Sequence, residues 1–306
     1  MEILDAQVHT WLSDRPRRPW ASTYRPMYME RQNMLLHAGQ TMAPEQVVVE
    51  MAEAGVDGGV LSPLGVYGND NSFELAAAER FPRKFTVVGW VDHLAEDLGE
   101  RLATDIGRGM VGVRVLRLRD QAAIGRGDFD RLLGLCADLN VSVSFMLDHP
   151  VSPGLIGLIK RHKSVLFVID HVGLGSAPPT LGPTPAEPFA NLRTVLELSE
   201  LVNVCLKLTG APALSHEPYP FKDIWAPVRE IVGAFGADRV MWGTDFTRVS
   251  GLHSYWDATH YLAEIDGLSG EQLELMYGQS LRTLLHWADR PHARPPLDPD
   301  LRLPGS

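Results

Sequence analysis

Eight short β-rich runs alternate with helix-period segments along the chain, at residues 3–9, 58–62, 85–91, 111–116, 141–147, 166–171, 203–208 and 239–243. Strands separated each time by a helix-length connection pair in parallel through right-handed crossovers, and eight such units close into a barrel. The intervening helices are expected at 44–54, 72–80, 94–108, 129–139, 153–163, 189–201 and 221–235, with the last connection, 255–287, split into two helices. Their beginnings carry helix-start chemistry: Pro44, Ser72 before an alanine-rich run, Pro153 behind Ser152, and Ser269 with Glu271. The fold expected is a single-domain α/β protein, a (β/α)8 TIM barrel over 1–289, followed by a proline-rich C-terminal extension at 290–306. Two connections are long, 10–42 after the first strand and the Pro/Gly-rich 173–188 after the sixth, and long βα loops stand on the face where barrel sites are built.

Composition narrows the partners. A formal charge of −10 opposes a phosphate backbone, and no basic stripe interleaved with aromatics appears, so nucleic acid is not expected. Cys136 and Cys205 give neither a disulfide framework nor zinc-type spacing, which fits a reducing cytoplasm. The opening MEILDAQVH runs straight into a strand, and no apolar run reaches the ~18 residues of a membrane span, so neither export nor membrane insertion is expected. A small molecule is the expected partner, and homo-oligomer formation stays open.

A strand of a parallel barrel is ordinarily apolar on both faces, yet the first one alternates Asp5, Gln7 and His9 against Leu4, Ala6 and Val8. With the apolar face against the helices, the polar column points into the barrel and His9 stands nearest the carboxyl-terminal mouth. The sixth strand ends in His171, on the same alternating face as Phe167 and Ile169. The seventh carries Lys207 inside an apolar run, where a lysine needs a partner or a polar lumen. The eighth ends in Asp245, two residues after a glycine that leaves room for close approach. On the fifth strand Ser142, Ser144, Met146 and Asp148 share the face suited to the lumen, and a one-residue bulge would exchange Asp148 for His149. At least one of Arg114, Arg117 and Arg119 should reach the mouth from the fourth strand, and His37, His93, His216 and His253 lie in loops that can supply substrate contacts.

DAQVHTW at 5–11, AGVDGGVLSP, VIDHVG at 168–173, CLKLTG at 205–210 and MWGTDF at 241–246 occur in this order. Taken together, this ordered set resembles the amidohydrolase-related branch of the amidohydrolase superfamily, which includes 2-pyrone-4,6-dicarboxylate lactonase and other lactonases, with metal-dependent decarboxylases as relatives. The resemblance implies His171 and Asp245 as site residues beside His9, and Lys207 matches a recurrent lysine of the lactonase-like members. It departs at Gln7, which stands where the first histidine of a His-x-His pair is expected. An amide is a poor replacement for imidazole toward zinc.

The resemblance thus implies a hydrolase that opens a small polar or carboxylated lactone or cyclic amide. Asp245 would activate the water, and Lys207 and His171, helped by the Gln7 amide, would polarise the carbonyl. One divalent metal, zinc or manganese, on His9, His171 and Asp245 is the alternative source of that polarisation, and a metal-free route stays open. A metal-dependent decarboxylase is the alternative activity, and a ligand-binding barrel without turnover a third. Substrate contacts are expected from Gln7, Trp11, Arg117, His216 and Arg248. An anionic substrate is expected because Arg15, Arg17, Arg18, Arg25 and Arg31 crowd the first βα loop.

Overall fold

The computed structural model describes residues 1–22, 24, 41–115, 121–147, 149–174, 184–246 and 252–288. All eight expected strands form: β1 (Leu4–Val8), β2 (Gly58–Leu61), β3 (Phe85–Trp90), β4 (Met110–Val115), β5 (Ser142–Phe145), β6 (Phe167–Ile169), β7 (Val204–Thr209) and β8 (Val240–Gly243). They make one parallel sheet in sequence order, and β8 returns against β1, so the sheet is a nearly closed (β/α)8 barrel. At the seam the Asp245 amide donates to the Gln7 carbonyl at 3.1 Å.

Side chains divide into two layers. Ala6, Val60, Val88, Val168, Cys205 and Met241, one from each of six strands, pack with Leu4 and Trp287 as the inner cluster. Their neighbours in sequence, among them Leu61, Val87, Ile169, Leu206 and Trp242, pack outward, with Val8, in the cluster that also takes the helix residues Leu102, Leu133 and Leu158. Period-two alternation along the strands produces this division.

A bulge in β1 and the turn that follows β6 shape the site. In β1 the step from Asp5 to Val8 spans three residues while its partner moves only from Gly59 to Leu61, which is a bulge. The extra residue lets Ala6 and Gln7 both serve the inside, and it turns Asp5 out. Asp5 therefore does not share the lumen face with Gln7 and His9, as alternation predicts, but reaches Thr244 and Tyr255 at the seam. In β6, Phe167 and Ile169 face the helices and the inward position falls to Asp170. His171 enters the site only because its backbone adopts φ 52° just beyond the strand.

The helices begin where the caps place them. Ser152 accepts from the Leu155 amide at 3.2 Å ahead of helix Pro153–Arg161, and Ser269 forms a capping box with Gln272 rather than with Glu271. The helix expected at 94–108 starts at Leu98, and the segment 189–201 shortens to helix Leu192–Leu196 followed by the 3-10 turn Glu197–Glu200. Helix Gln121–Arg126 is an addition to the expected set. Among the described residues, no helix is long and apolar enough to cross a membrane.

Candidate active site

Four of the expected residues meet at the carboxyl-terminal mouth, all of them buried: Gln7 on β1 and His9 directly after it, His171 after β6, and Asp245 after β8. His9 Nε2 lies 2.7 Å from Asp245 Oδ1, and its Nδ1 is hydrogen-bonded to the carbonyl of Ser62 at the end of β2. A carbonyl only accepts, so Nδ1 carries a proton; the short Nε2 contact with a carboxylate calls for a second one. His9 thus ties the Asp245 carboxyl, through Nε2, to the Ser62 carbonyl, through Nδ1. The Gln7 amide nitrogen donates to the same Oδ1 at 3.2 Å and to His171 Nε2 at 3.3 Å. His171 Nδ1 faces the Thr209 carbonyl at 3.3 Å and the Thr209 hydroxyl at 3.1 Å, so the ring is neutral with its proton on Nδ1 and its Nε2 lone pair toward Gln7.

Behind His171 stands a second charged group. Arg114, from β4, donates through Nε to Asp170 Oδ2 at 2.6 Å, and its Nη2 stands 3.5 Å from His171 Nε2. Lys207, from β7, stands 3.2 Å from Asp170 Oδ1. Burial alone would raise the Asp170 carboxyl, but Lys207 and Arg114 outweigh it and hold the group well below the usual carboxylate range. Burial lowers the Lys207 ammonium, and Asp170 offsets part of that. Lys207 is thus buried with Asp170 as its ion-pair partner, beside the Arg114–Asp170 pair. Met146 turns its sulfur toward Arg114 at 3.7 Å, which places the Ser144–Met146 side of the fifth strand in the lumen, as expected.

Other expected contacts stand elsewhere or outside the described residues. Trp11 is fully buried in the core, its backbone bridged to Met42 by hydrogen bonds of 2.9 and 2.8 Å. His216 is hydrogen-bonded to the Pro185 carbonyl at 3.0 Å in the loop after β7, and His149 is exposed. Arg117, Arg248 and Asp148 lie outside the described residues, as do Arg25, Arg31, His37, Arg119 and the extension at 290–306. Asp170, Thr209 and Ser62 were absent from the expected site. Asp170 carried a readable signal, since it shares strand parity with Val168 and sits directly before His171.

The amidohydrolase family pattern runs through residues 4–279, from the start of β1 past β8. The chain belongs to the amidohydrolase family. It is 29% identical to a 4-sulfomuconolactone hydrolase of Rhizobium radiobacter over 205 residues, 66% of this chain and 65% of that one. The matched stretch thus spans about two thirds of the relative's length. Among solved structures, an amidohydrolase from Burkholderia multivorans with bound zinc superposes with a TM-score of 0.75 at 21% identity, covering 94% of this chain and 99% of that one. A 2-pyrone-4,6-dicarboxylic acid hydrolase candidate from Acinetobacter baumannii, with citric acid bound, gives 0.69 at 19% identity, covering 94% and 100%. At these identities the superpositions show the shared fold.

A catalytic zinc or manganese ion needs about three protein ligands converging on one point. Among the described residues, no three His, Cys, Asp or Glu side chains stand close enough to share one ion. Gln7 turns its amide nitrogen, not its oxygen, toward Asp245 and His171, and Arg114 brings a cation to within 3.5 Å of the His171 lone pair. Gln7 Oε1 is buried without a hydrogen-bond partner. Donors and a guanidinium are the surroundings of an oxyanion rather than of a cation, and these residues do not fit a three-ligand metal centre.

Proposed function

We propose that this amidohydrolase opens a small carboxylated lactone, with Asp245 as the base that activates water. The observation that carries the reading is the Asp245 carboxylate, fully buried at the barrel mouth and held by His9 Nε2 at 2.7 Å and the Gln7 amide at 3.2 Å. A buried carboxylate fixed in place by two donors at the mouth is positioned to accept a proton from water. The name of the sulfomuconolactone hydrolase relative supports the same substrate class.

In this mechanism Asp245 takes a proton from water as the hydroxyl oxygen bonds to the lactone carbonyl carbon. The Arg114 guanidinium, beside His171, holds the negative charge that develops on the carbonyl oxygen, while the two Gln7 N–H groups stay on Asp245 and His171. His171, a neutral acceptor fixed by Thr209, orients the Gln7 amide, and Asp170 with Lys207 fixes the Arg114 fork. The carbonyl then re-forms, the ring C–O bond breaks, and Asp245 returns its proton to the leaving oxygen. In this scheme His9, as an imidazolium, keeps the base ionised until it takes the proton of the attacking water.

The test is Asp245→Asn assayed on a panel of five- and six-membered lactones, with product acid and carbon dioxide both measured. Loss of about 1,000-fold or more in kcat with an unchanged fold is expected, since general-base catalysis contributes about 100- to 10,000-fold. Retained turnover removes Asp245 from the base role, and carbon dioxide in place of ring-opened acid assigns decarboxylation instead. Elemental analysis runs beside it: stoichiometric zinc or manganese, with turnover lost on its removal, would overturn the metal-free form of the mechanism.

A further inference from the structure

We propose that Asp5 is a positioning residue for the catalytic base, fixing from outside the barrel the turn that aims Asp245 into it. The proposal rests on Asp245 being the base. Asp5 lies at the seam where β1 meets β8, and its carboxylate takes four donors. Oδ1 accepts from the backbone amides of Gln7 and Thr244, each at 2.9 Å, and Oδ2 accepts from the Tyr255 hydroxyl at 2.9 Å and from the Thr244 hydroxyl. Two of these groups neighbour site residues in the chain: Gln7 itself on one side, and Thr244, directly before Asp245, on the other.

The turn that carries Asp245 is held at three consecutive amides. Thr244 N–H goes to Asp5, Asp245 N–H to the Gln7 carbonyl at 3.1 Å, and Phe246 N–H to the Thr244 hydroxyl oxygen at 2.9 Å, itself fixed by donating to Asp5. Such redundancy has a reason. Asp245 has φ 55°, in the left-handed region that costs a residue with a Cβ and persists only where the surroundings over-determine it. The bulge that faces Gln7 inward and Asp5 outward makes one carboxylate span both strands. Asp5 thereby sets the spacing between the Gln7 amide and the Asp245 oxygen that the mechanism uses, without touching a reacting atom.

Tyr255 is the remote arm of the clamp. It starts helix Tyr255–His260 behind a capping box on Ser254, and its ring stacks on Phe246 at 4.3 Å between centroids. The residue after the base is thus fixed to the same side chain that donates to Asp5.

The experiment combines crystal structures with kcat and KM for Asp5→Ala, Asp5→Asn, Tyr255→Phe and the double variant Asp5→Ala/Asp245→Asn. Asp5→Ala is expected to release residue 245 from the left-handed region and to lower kcat by about 100-fold with KM nearly unchanged, the scale of an ångström-level misplacement. Asparagine keeps an acceptor for the two backbone amides and should restore kcat to within about 10-fold of wild type. Adding Asp5→Ala to Asp245→Asn should cost little more than Asp245→Asn alone, because a residue acting only through the base has nothing further to lose.

Residue 245 unmoved and still bonded to His9 in Asp5→Ala, or fully multiplicative losses in the double variant, would overturn the proposal. If Asp5→Ala does not fold, Tyr255→Phe decides: a kcat loss of about 2- to 10-fold, the scale of one hydrogen bond, supports the clamp, and an unchanged kcat overturns it. The crystallographic comparison makes no reference to substrate. A failed lactone assignment with residue 245 displaced therefore refutes the function and keeps the clamp.

Discussion

At the scale of single residues, two buried carboxylates of the barrel, Asp170 and Asp5, differ in role because their surroundings differ. Asp170 sits between two cations and is held ionised; Asp5 meets only neutral donors, and burial pushes its carboxyl up to about 6 despite hydrogen bonds from Thr244, Gln7 and Tyr255. Folding therefore favours protonated Asp5. Its contribution to stability is full below pH ~4 and is lost as pH rises through about 6, a change on the order of 3 kcal/mol at 1.36 kcal/mol per unit. Wild type measured against Asp5→Asn by urea unfolding from pH 4 to 7.5 should lose ground by about that amount, and a flat difference would show that Asp5 does not titrate there. The Tyr255 hydroxyl, raised well above its usual range by burial and by Asp5, stays protonated throughout and does not confuse the comparison. Asp170 gives the opposite kind of expectation. Asp170→Asn leaves Arg114 and Lys207 facing each other without their shared anion, and should cost about 3–5 kcal/mol of stability, part of which Lys207→Met restores. Restoration in the double variant, seen as a higher urea midpoint, is the discriminating result.

At the scale of elements, most of the barrel was readable, because the alternation of strand and helix survives errors of a few residues at each boundary. What escaped was local backbone geometry. The Asp5 expectation failed because a bulge in β1 leaves no trace in a two-residue period, and His171 reached the site through a positive φ that no propensity for histidine would suggest. Asp170 was missed for a related reason: placing His171 inward by alternation put Asp170 outward, when the strand turns the other way. Gly243, by contrast, was legible as a place for close approach, and the geometry gives it a cost. A Cβ there would meet Thr209 Cγ2 at 2.6 Å and the Ala6 amide and Asp5 Oδ1 each at 3.1 Å, so Gly243→Ala should pry β8 from β1 and β7. An overpacking cost of about 1–3 kcal/mol is expected, with kcat falling alongside because Thr244 and Asp245 follow directly. Gly233 is the control: it lies in helix Trp225–Phe235 with open space where a Cβ would stand, so alanine there should stabilise by about 0.5–1 kcal/mol. Thermal unfolding of the two variants side by side checks both signs, and a tolerated Gly243→Ala would show that the seam does not need a glycine.

For the whole molecule, a net charge of −10 has to be reconciled with the anionic substrate proposed above. Long-range attraction cannot provide the capture, so recognition must come from cations placed at the mouth, where low dielectric strengthens each contact. Arg114 is the described arginine that meets this condition: buried, fixed by Asp170, with Nη2 beside His171. Its rigid fork matches a carboxylate or a developing oxyanion, and Lys207 behind it keeps Asp170 from cancelling the charge entirely. Arg114→Lys keeps a cation against Asp170 but loses the fork, which separates charge from geometry. On a matched pair of lactones with and without a ring carboxylate, wild type should favour the charged one, and Arg114→Lys should lose about 10- to 100-fold in kcat/KM on it, the worth of one or two charge-assisted hydrogen bonds. Arg117→Ala and Arg248→Ala, assayed on the same pair, apportion the preference among the remaining arginines expected at the mouth. Equal efficiency on both lactones, with no loss in any of the three variants, would show that these arginines recognise no anion and that the carboxylated-substrate class is wrong.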